Sequence, residues 1–131
     1  MAGQFVSEVN DADFEKLVLS EFPDLREDFE EWEGLINLQV SDFCRFTQAA
    51  IEAGSFEMVS RCFEIANAAL VQGDESLRNA MYVSYLEHLD LRSDLGKQAA
   101  QLMPSQLRQG RHDILDYDEK LLGRKWSLDD R

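Results

Sequence analysis

Residues 40–70, VSDFCRFTQAAIEAGSFEMVSRCFEIANAAL, decide the fold predicted for this chain. Apolar residues recur at helical spacing on both sides of Gly54, and glycine is the usual residue at the left-handed position that follows a helix. Ser41 and Ser55 stand where N-caps belong, because a serine hydroxyl accepts a hydrogen bond from a free backbone N–H. The stretch therefore predicts two antiparallel helices joined by a turn of about two residues.

The second helix of this pair carries apolar residues on two faces. One face comprises Phe56, Val59, Phe63, Ala66 and Leu70. The other comprises Met58, Cys62, Ile65 and Ala69. Because both faces need packing partners, we expect this helix at the centre of the molecule. Cys44 and Cys62 should be small buried neighbours without a bond between them, since the two cysteines form neither a CxxC pair nor a disulfide framework.

Two helices are predicted before this pair. The first covers residues 11–21, with Asn10 or Asp11 as its N-cap. Its expected buried stripe comprises Phe14, Leu17 and Val18. Phe22 should end it, because the residue before a proline is disfavoured in the α region, and Pro23 should open the second helix. The residues of the second helix expected to face the core are Leu25, Phe29 and Trp32.

Three more helices are predicted after Gly73, which should end the central helix. Asp74 should cap a helix over about residues 75–90, in which Asn79 falls inside a wide apolar face. We expect its amide to be buried and hydrogen-bonded, since an unsatisfied buried amide costs about 1 to 3 kcal/mol. Ser93 should then cap a short helix that reaches Met103, and Pro104 should open the last.

These elements predict an all-α fold, a single-domain antiparallel helical bundle or a short, solenoid-like α-α array of about six to seven helices. With 131 residues, of which 44% are apolar, residues 1–131 fit one domain. The segments 1–10 and 124–131 are expected to be flexible, although Trp126 offers the second segment a means of docking.

Acidic residues dominate the charge of the chain, with 26 acids against 13 bases. The excess is uneven, because residues 1–40 hold 11 acids and only two bases. Such a field repels phosphate backbones and anionic membranes, which argues against nucleic-acid and membrane binding, and it attracts a basic protein partner. Surplus acid that only keeps a small protein soluble is the alternative interpretation.

The N-terminal sequence MAGQFVSEVNDADFEK has no basic segment followed by an apolar one, so the chain does not resemble a secreted precursor. No apolar run of about 18 residues is long enough to span a bilayer. Two cysteines without a disulfide pattern suit a reducing compartment. The sequence therefore predicts a cytoplasmic protein.

No catalytic or metal-binding motif is found. Glu87 and His88 are adjacent, so on a helix they point about 100° apart and cannot converge on one ligand. The acids around His112 lack the fixed spacing of a metal site, and a solvated charged turn is the better interpretation. The chain also has no glycine-rich phosphate loop and no GxSxG turn. We therefore predict no catalytic residues, no metal and no cofactor, and a protein that is not an enzyme.

Three segments in combination resemble an uncharacterised family of small, acidic, all-helical bacterial proteins. They are the RCFE helix within residues 40–70, the segment LRNAMYVSYLEHLDL at residues 77–91, and the late turn LMPSQLRQG at residues 102–110. The resemblance covers about residues 35–120, and the chain departs from it at Arg111, where an aromatic residue is expected. Some small acidic helical proteins of this kind are immunity proteins encoded beside toxins, which makes that function an analogy.

The sequence thus favours a protein-binding module, most concretely an immunity protein that blocks a cognate toxin by occlusion. The predicted docking residues lie on the second helix: Asp24, Glu27, Asp28, Glu30, Glu31 and Glu33. Like charges at i+3 and i+4 destabilise this helix, so a surface retained for a basic partner would explain them. The alternatives are a scaffold that binds through a groove of the third to fifth helices and, less favoured, a metal-dependent hydrolase that uses His88 or His112.

Overall fold

The computed structural model describes residues 8–123, and within them every regular element is helical. Seven α-helices follow one another: α1 (Asp11–Glu21), α2 (Arg26–Glu31), α3 (Ile36–Glu52), α4 (Phe56–Gln72), α5 (Glu75–Ala80), α6 (Asp94–Ala100) and α7 (Ser105–Leu122). A 3-10 turn (Pro23–Leu25) precedes α2, and a π-helical turn (Met81–Leu86) continues α5. Their buried side chains form one hydrophobic core, so the predicted all-α, single-domain fold is confirmed.

Helix α1 begins at a reciprocal cap. Asn10 Oδ1 accepts the backbone N–H of Asp13 at 2.8 Å, and Asp13 Oδ2 accepts that of Asn10 at 3.1 Å. The prediction that Leu17 is buried is wrong, because its side chain is 40% exposed while Leu19 is buried. The 3-10 turn packs against α1, and the buried face of the helix extends from Val18 to Leu19 instead of to Leu17.

Helices α3 and α4 form the predicted hairpin around Gly54, whose φ of 71° confirms the left-handed turn. The prediction that Ser41 caps the first of them is wrong, because α3 begins at Ile36 and Ser41 lies inside it. Burial of Ile36 and Val40 extends the helix by a turn and a half at its start, so no break is needed at Ser41. Helix α4 contacts α1, α3, α5, α6 and α7, which confirms its central place.

Helix α5 begins as predicted, with Asp74 accepting the N–H of Leu77 at 2.9 Å, but it does not continue to residue 90. It widens at Met81 into the π-helical turn, in which the N–H of Glu87 donates to the carbonyl of Tyr82 at 3.2 Å. The prediction that Asn79 is buried is also wrong, since its side chain is exposed. A π-helix turns less per residue than an α-helix, so a wheel drawn for an α-helix misplaces this face.

Side chains from two other helices donate to carbonyl groups at the end of the π-helical turn. The Cys44 thiol donates to the carbonyl of Tyr85 at 3.5 Å, and Arg111 Nη1 donates to that of Leu86 at 2.8 Å. Arg111 is only 3% exposed. At the position where the family resemblance favours an aromatic residue, α7 therefore packs through a buried guanidinium group.

The remaining helices are closely packed at two glycines. Ser93 caps α6 as predicted, accepting the N–H of Gly96 at 2.9 Å. A Cβ atom on Gly96 would lie 2.6 Å from Leu91 Cα, and one on Gly110 in α7 would lie 2.8 Å from Leu70 Cδ2. Only glycine fits so close to the backbone of Leu91, whereas at Gly110 a Cβ atom would press on the end of the Leu70 side chain.

The chain enters α1 through a short segment that is hydrogen-bonded to the end of α4. Val9 accepts the N–H of Asp74 at 2.9 Å and donates to the carbonyl of Gln72 at 2.8 Å, so the entry to α1 lies beside the end of α4. The predictions that residues 1–10 and 124–131 are flexible and that Trp126 is docked concern segments of which residues 1–7 and 124–131 lie outside the described part. They stay predictions.

Candidate protein-binding surface

The six predicted docking residues, here named the acidic ridge, lie on consecutive turns of the chain. The ridge comprises Asp24, Glu27, Asp28, Glu30, Glu31 and Glu33. Asp24 is in the 3-10 turn, the next four residues are on α2, and Glu33 follows in the turn before α3. All six side chains are exposed. Their carboxylates are therefore available to a partner.

Two buried side chains hold the ridge against the core. Leu25 and Phe29 are 6% and 0% exposed, and the ring of Phe29 stacks on that of Phe14 in α1 with 6.2 Å between centroids. Phe14 in turn meets the edge of Phe43 in α3 at 5.6 Å. The prediction that Phe29 faces the core is thus confirmed, whereas Trp32 is only half-buried.

A buried amide fixes the end of α2. Gln39 in α3 is 2% exposed, and its Nε2 donates to the carbonyl of Phe29 at 3.0 Å and to Glu15 Oε1 at 3.2 Å. Because the last carbonyls of a helix have no partner inside it, Gln39 supplies one and ties α2 to α1 and α3. The backbone of α2, which carries most of the acidic ridge, is therefore fixed by contacts with α1 and α3.

Basic residues of the same helix neutralise little of the negative charge of the ridge. Arg26 Nη1 lies 4.0 Å from Glu30 Oε2, with both side chains more than half exposed, and such a pair contributes about 0 to 1 kcal/mol. Glu27 and Glu31 lie one helical turn apart and repel one another. Placed near the start of a short helix, Glu27 and Asp28 recover part of that cost from the helix dipole. The ridge consequently keeps a strongly negative potential.

Apolar side chains that the sequence did not single out border the ridge. Leu35 and Leu38 are 51% and 42% exposed, and they follow Glu33 at the start of α3. The N–H of Leu35 donates to the carbonyl of Trp32 at 2.8 Å, which fixes the turn between them. Exposed leucines beside charged side chains offer a partner apolar surface next to a polar rim. The sequence contained a signal for this exposed position, because Leu38 lies outside the i, i+4 spacing of the buried residues Ile36 and Val40.

A second surface corresponds to the groove proposed for the scaffold alternative. A cavity of about 320 Å³ lies between α3 and the π-helical turn and is lined by Ser41, Cys44, Arg45, Gln48, Ser84 and His88. Arg45 is paired with Asp42, one turn earlier on α3. Burial raises the pKa of the Cys44 thiol to about 12, so this group stays protonated and is a poor nucleophile at neutral pH. Cys44 therefore offers no reactive thiolate to a molecule bound in this cavity.

The two cysteines are both free and buried. Burial also raises the pKa of the Cys62 thiol to about 11, and both thiols lie near Tyr85, whose hydroxyl donates to Thr47 Oγ1 at 3.0 Å. They act as core residues, as the sequence predicts. Within residues 8–123, no group of three or more histidine, cysteine, aspartate or glutamate side chains is placed to hold a metal ion.

No helix within residues 8–123 has the length and apolarity needed to cross a membrane.

Comparisons with known proteins identify the family of this chain. No curated protein and no solved structure matches the chain. A family model described as Domain of unknown function (DUF7674) matches residues 15–119, which extend from α1 into the last turns of α7 and include the acidic ridge. The predicted membership of an uncharacterised family is confirmed, and the chain belongs to the DUF7674 family.

Proposed function

We propose that this protein is a binding module whose acidic ridge docks a basic protein partner. In its most concrete form, it is a bacterial immunity protein that acts in the cytoplasm and neutralises a cognate toxin by covering its active or binding surface. One observation carries the proposal: six exposed carboxylates stand on a short helix and the turns on either side of it, and buried contacts with the core hold that helix in place. An inhibitor that acts by occlusion needs such a surface and no chemistry of its own.

Rigidity and charge have separate roles in this proposal. A surface that is already ordered loses little conformational entropy when it binds, which favours affinity. The negative field speeds the encounter with a basic partner, by about 10-fold to 1,000-fold for strongly steered pairs at low salt. Leu35 and Leu38 would supply the apolar contacts that slow dissociation once the partner is in place.

The immunity function itself rests on an analogy. The analogy is with small acidic helical proteins that are encoded beside toxins. The family to which the chain belongs has no known function, so membership of it neither supports nor opposes an immunity function. The test is therefore biological as well as physical. The products of neighbouring genes should include a basic polypeptide that stops growth when expressed alone and not when expressed with this protein. If no neighbouring product is toxic, the immunity function is refuted and the binding module stands on its own test.

A charge reversal tests the ridge. Replacing Glu27, Glu30 and Glu31 by Lys should slow association with the basic partner by about tenfold or more at low salt and reduce its salt dependence. The matched control reverses three exposed acids on other helices: Glu52, Glu64 and Glu75. Both triple variants change the net charge equally, so only a local effect separates them. Equal association rates for the two variants would reject the ridge as the docking surface.

A scaffold or adaptor is the second candidate, and the cavity between α3 and the π-helical turn favours it. In this case the partner contacts Arg45 and His88, which face the cavity, instead of the ridge. Replacing both by serine should abolish binding, whereas the ridge variant should bind normally. The same binding assay thus separates the two candidates.

A further inference from the structure

The cavity between α3 and the π-helical turn has two facing walls. Ser41, Arg45 and Gln48 follow at i, i+4 and i+7 and so share one face of α3. Ser84, in the π-helical turn, and His88, just after it, form the opposite wall. The volume of about 320 Å³ lies at the lower end of the range of about 300 to 1,000 Å³ that small-molecule sites occupy. The cavity therefore has the size of a site for a small ligand.

The guanidinium group of Arg45 is held beside this cavity by a buried acid. Its Nη2 donates to Asp42 Oδ1, and the Asp42 side chain is 7% exposed whereas that of Arg45 is 71% exposed. A guanidinium group has five N–H donors, so this bond leaves the others for a ligand. Their planar, forked arrangement matches the oxygens of a carboxylate or a phosphate. Asp42 thus orients Arg45 and leaves it available to an anion.

A second arginine places positive charge behind the cavity. The thiol of Cys44, which lines the cavity, donates to the carbonyl of Tyr85. Arg111 donates to the next carbonyl, that of Leu86, and is buried. Burial raises the pKa of the Cys44 thiol to about 12, and the nearby charge of Arg111 opposes that rise. Salt screens a buried charge only weakly, so the attraction of Arg111 extends from behind Cys44 towards the cavity.

The remaining lining adds donors and no negative charge. The side chains of Ser41 and His88 have no hydrogen-bond partner within residues 8–123. Gln48 is already occupied, because its side chain bonds to the N–H and the carbonyl of Asp90. None of the six residues that line the cavity is an acid, although the chain has 26 acids against 13 bases. The cavity is therefore a local site for negative charge on an acidic protein.

We propose that this cavity binds a small organic anion through its carboxylate or phosphate group. Arg45 supplies a forked contact, Ser41 and His88 donate hydrogen bonds, and the buried Arg111 attracts the charge from behind Cys44. The site is separate from the acidic ridge and does not depend on the function proposed above. It excludes the scaffold candidate, which assigns the same cavity to a protein.

NMR titration of the isotope-labelled full chain tests the proposal. The anionic probes are glycerol 2-phosphate and succinate, and their neutral counterparts are glycerol and succinamide. At least one anion should shift the amide signals of Ser41, Arg45 and His88 in a saturable way, whereas the neutral compounds should leave them unchanged. Tighter binding of glycerol 2-phosphate would identify phosphate as the preferred group, and tighter binding of succinate would identify carboxylate.

Two variants locate the site. Arg45→Gln removes the forked contact and should weaken binding of the anion by about tenfold or more, because hydrogen bonds between charged groups are strong. The matched control Arg26→Gln removes the same charge from an exposed arginine that also pairs with an acid, and it should leave the affinity unchanged. Because Arg45→Gln also deprives Asp42 of its partner, His88→Ala gives an independent measurement. It should weaken binding by about threefold to tenfold.

Three results would overturn the proposal. The first is that neither anion shifts the amide signals of the cavity at millimolar concentrations. If the variants of Arg45 and His88 then lose a protein partner, the cavity belongs to the scaffold candidate. The second is that both variants bind the anion as well as Arg26→Gln does, while circular dichroism shows all three folded. The third is that the neutral compounds shift the same signals as strongly as the anions, because binding would then not depend on charge.

Discussion

Replacing the buried Arg111 by methionine is expected to destabilise the fold through one hydrogen bond. Arg111 is 3% exposed, and its Nη1 donates at 2.8 Å to the carbonyl of Leu86, at the end of the π-helical turn. Methionine has a similar length and can fill the same space, but it donates nothing. The Leu86 carbonyl would then be left in the core without this donor.

The expected loss follows from that geometry. A hydrogen bond with one charged partner contributes about 1.5 to 3 kcal/mol, so Arg111→Met should lower the free energy of unfolding by about 2 kcal/mol. For a chain of 131 residues, typical unfolding entropies convert this loss to a fall in Tm of about 7 °C. Relief of the buried guanidinium acts in the opposite direction. We expect the unsatisfied carbonyl to decide the sign, because the substitution removes only one of the two partners.

Arg108 provides a matched control on the same helix. Its Nη2 also donates to a carbonyl, that of Ala100 at 2.9 Å, but this arginine is exposed. Water can replace the lost bond there, so Arg108→Met should change stability by less than about 0.5 kcal/mol. Urea unfolding followed by circular dichroism measures both variants. If Arg111→Met is as stable as the control, or more stable than the parent protein, desolvation dominates and the reasoning is refuted.

Two further predictions concern the polar groups around Tyr85. Tyr85→Phe removes the buried hydrogen bond to Thr47 and should lower the free energy of unfolding by about 1 kcal/mol. The control Tyr117→Phe, at an exposed position, should leave the free energy of unfolding unchanged. Equal losses for the two variants in urea unfolding would contradict the role of the buried hydrogen bond. Burial raises the pKa of the thiols of Cys44 to about 12 and of Cys62 to about 11, so in alkali the unfolded chain loses these protons first, and stability should fall as pH rises from about 9 towards 11. Replacing both cysteines by alanine should flatten that slope, and an unchanged slope would exclude the thiols as its cause.

Much of the fold follows from local signals in the sequence. The bounds of α1, the left-handed turn at Gly54 and the caps at Asp74 and Ser93 are all as expected. Each depends on groups within a few residues of one another, such as a side-chain oxygen and the N–H three residues later. Such contacts are the same in any fold that contains the helix, so the sequence alone defines them.

Errors arose where distant residues set the local structure. The start of α3 depends on where Ile36 and Gln39 are buried, and Gln39 bonds to Phe29 and Glu15 in other helices. With α3 predicted to begin at Ser41, Leu38 had no helical face, and the apolar border of the acidic ridge was missed. The acids of the ridge were visible, because charge is a property of composition that needs no packing to be seen.

The sequence by itself determined that this protein is acidic, all-helical and built around the α3–α4 hairpin, since composition, periodicity and capping are local properties. Only the tertiary structure decided the turn of Met81–Leu86. There a π-helix replaces an α-helix, and Cys44 and Arg111 bind the carbonyls of Tyr85 and Leu86. These partners lie 41 and 25 residues away in the chain. No local pattern encodes such pairings, because they exist only once the core has brought α3 and α7 to the same turn.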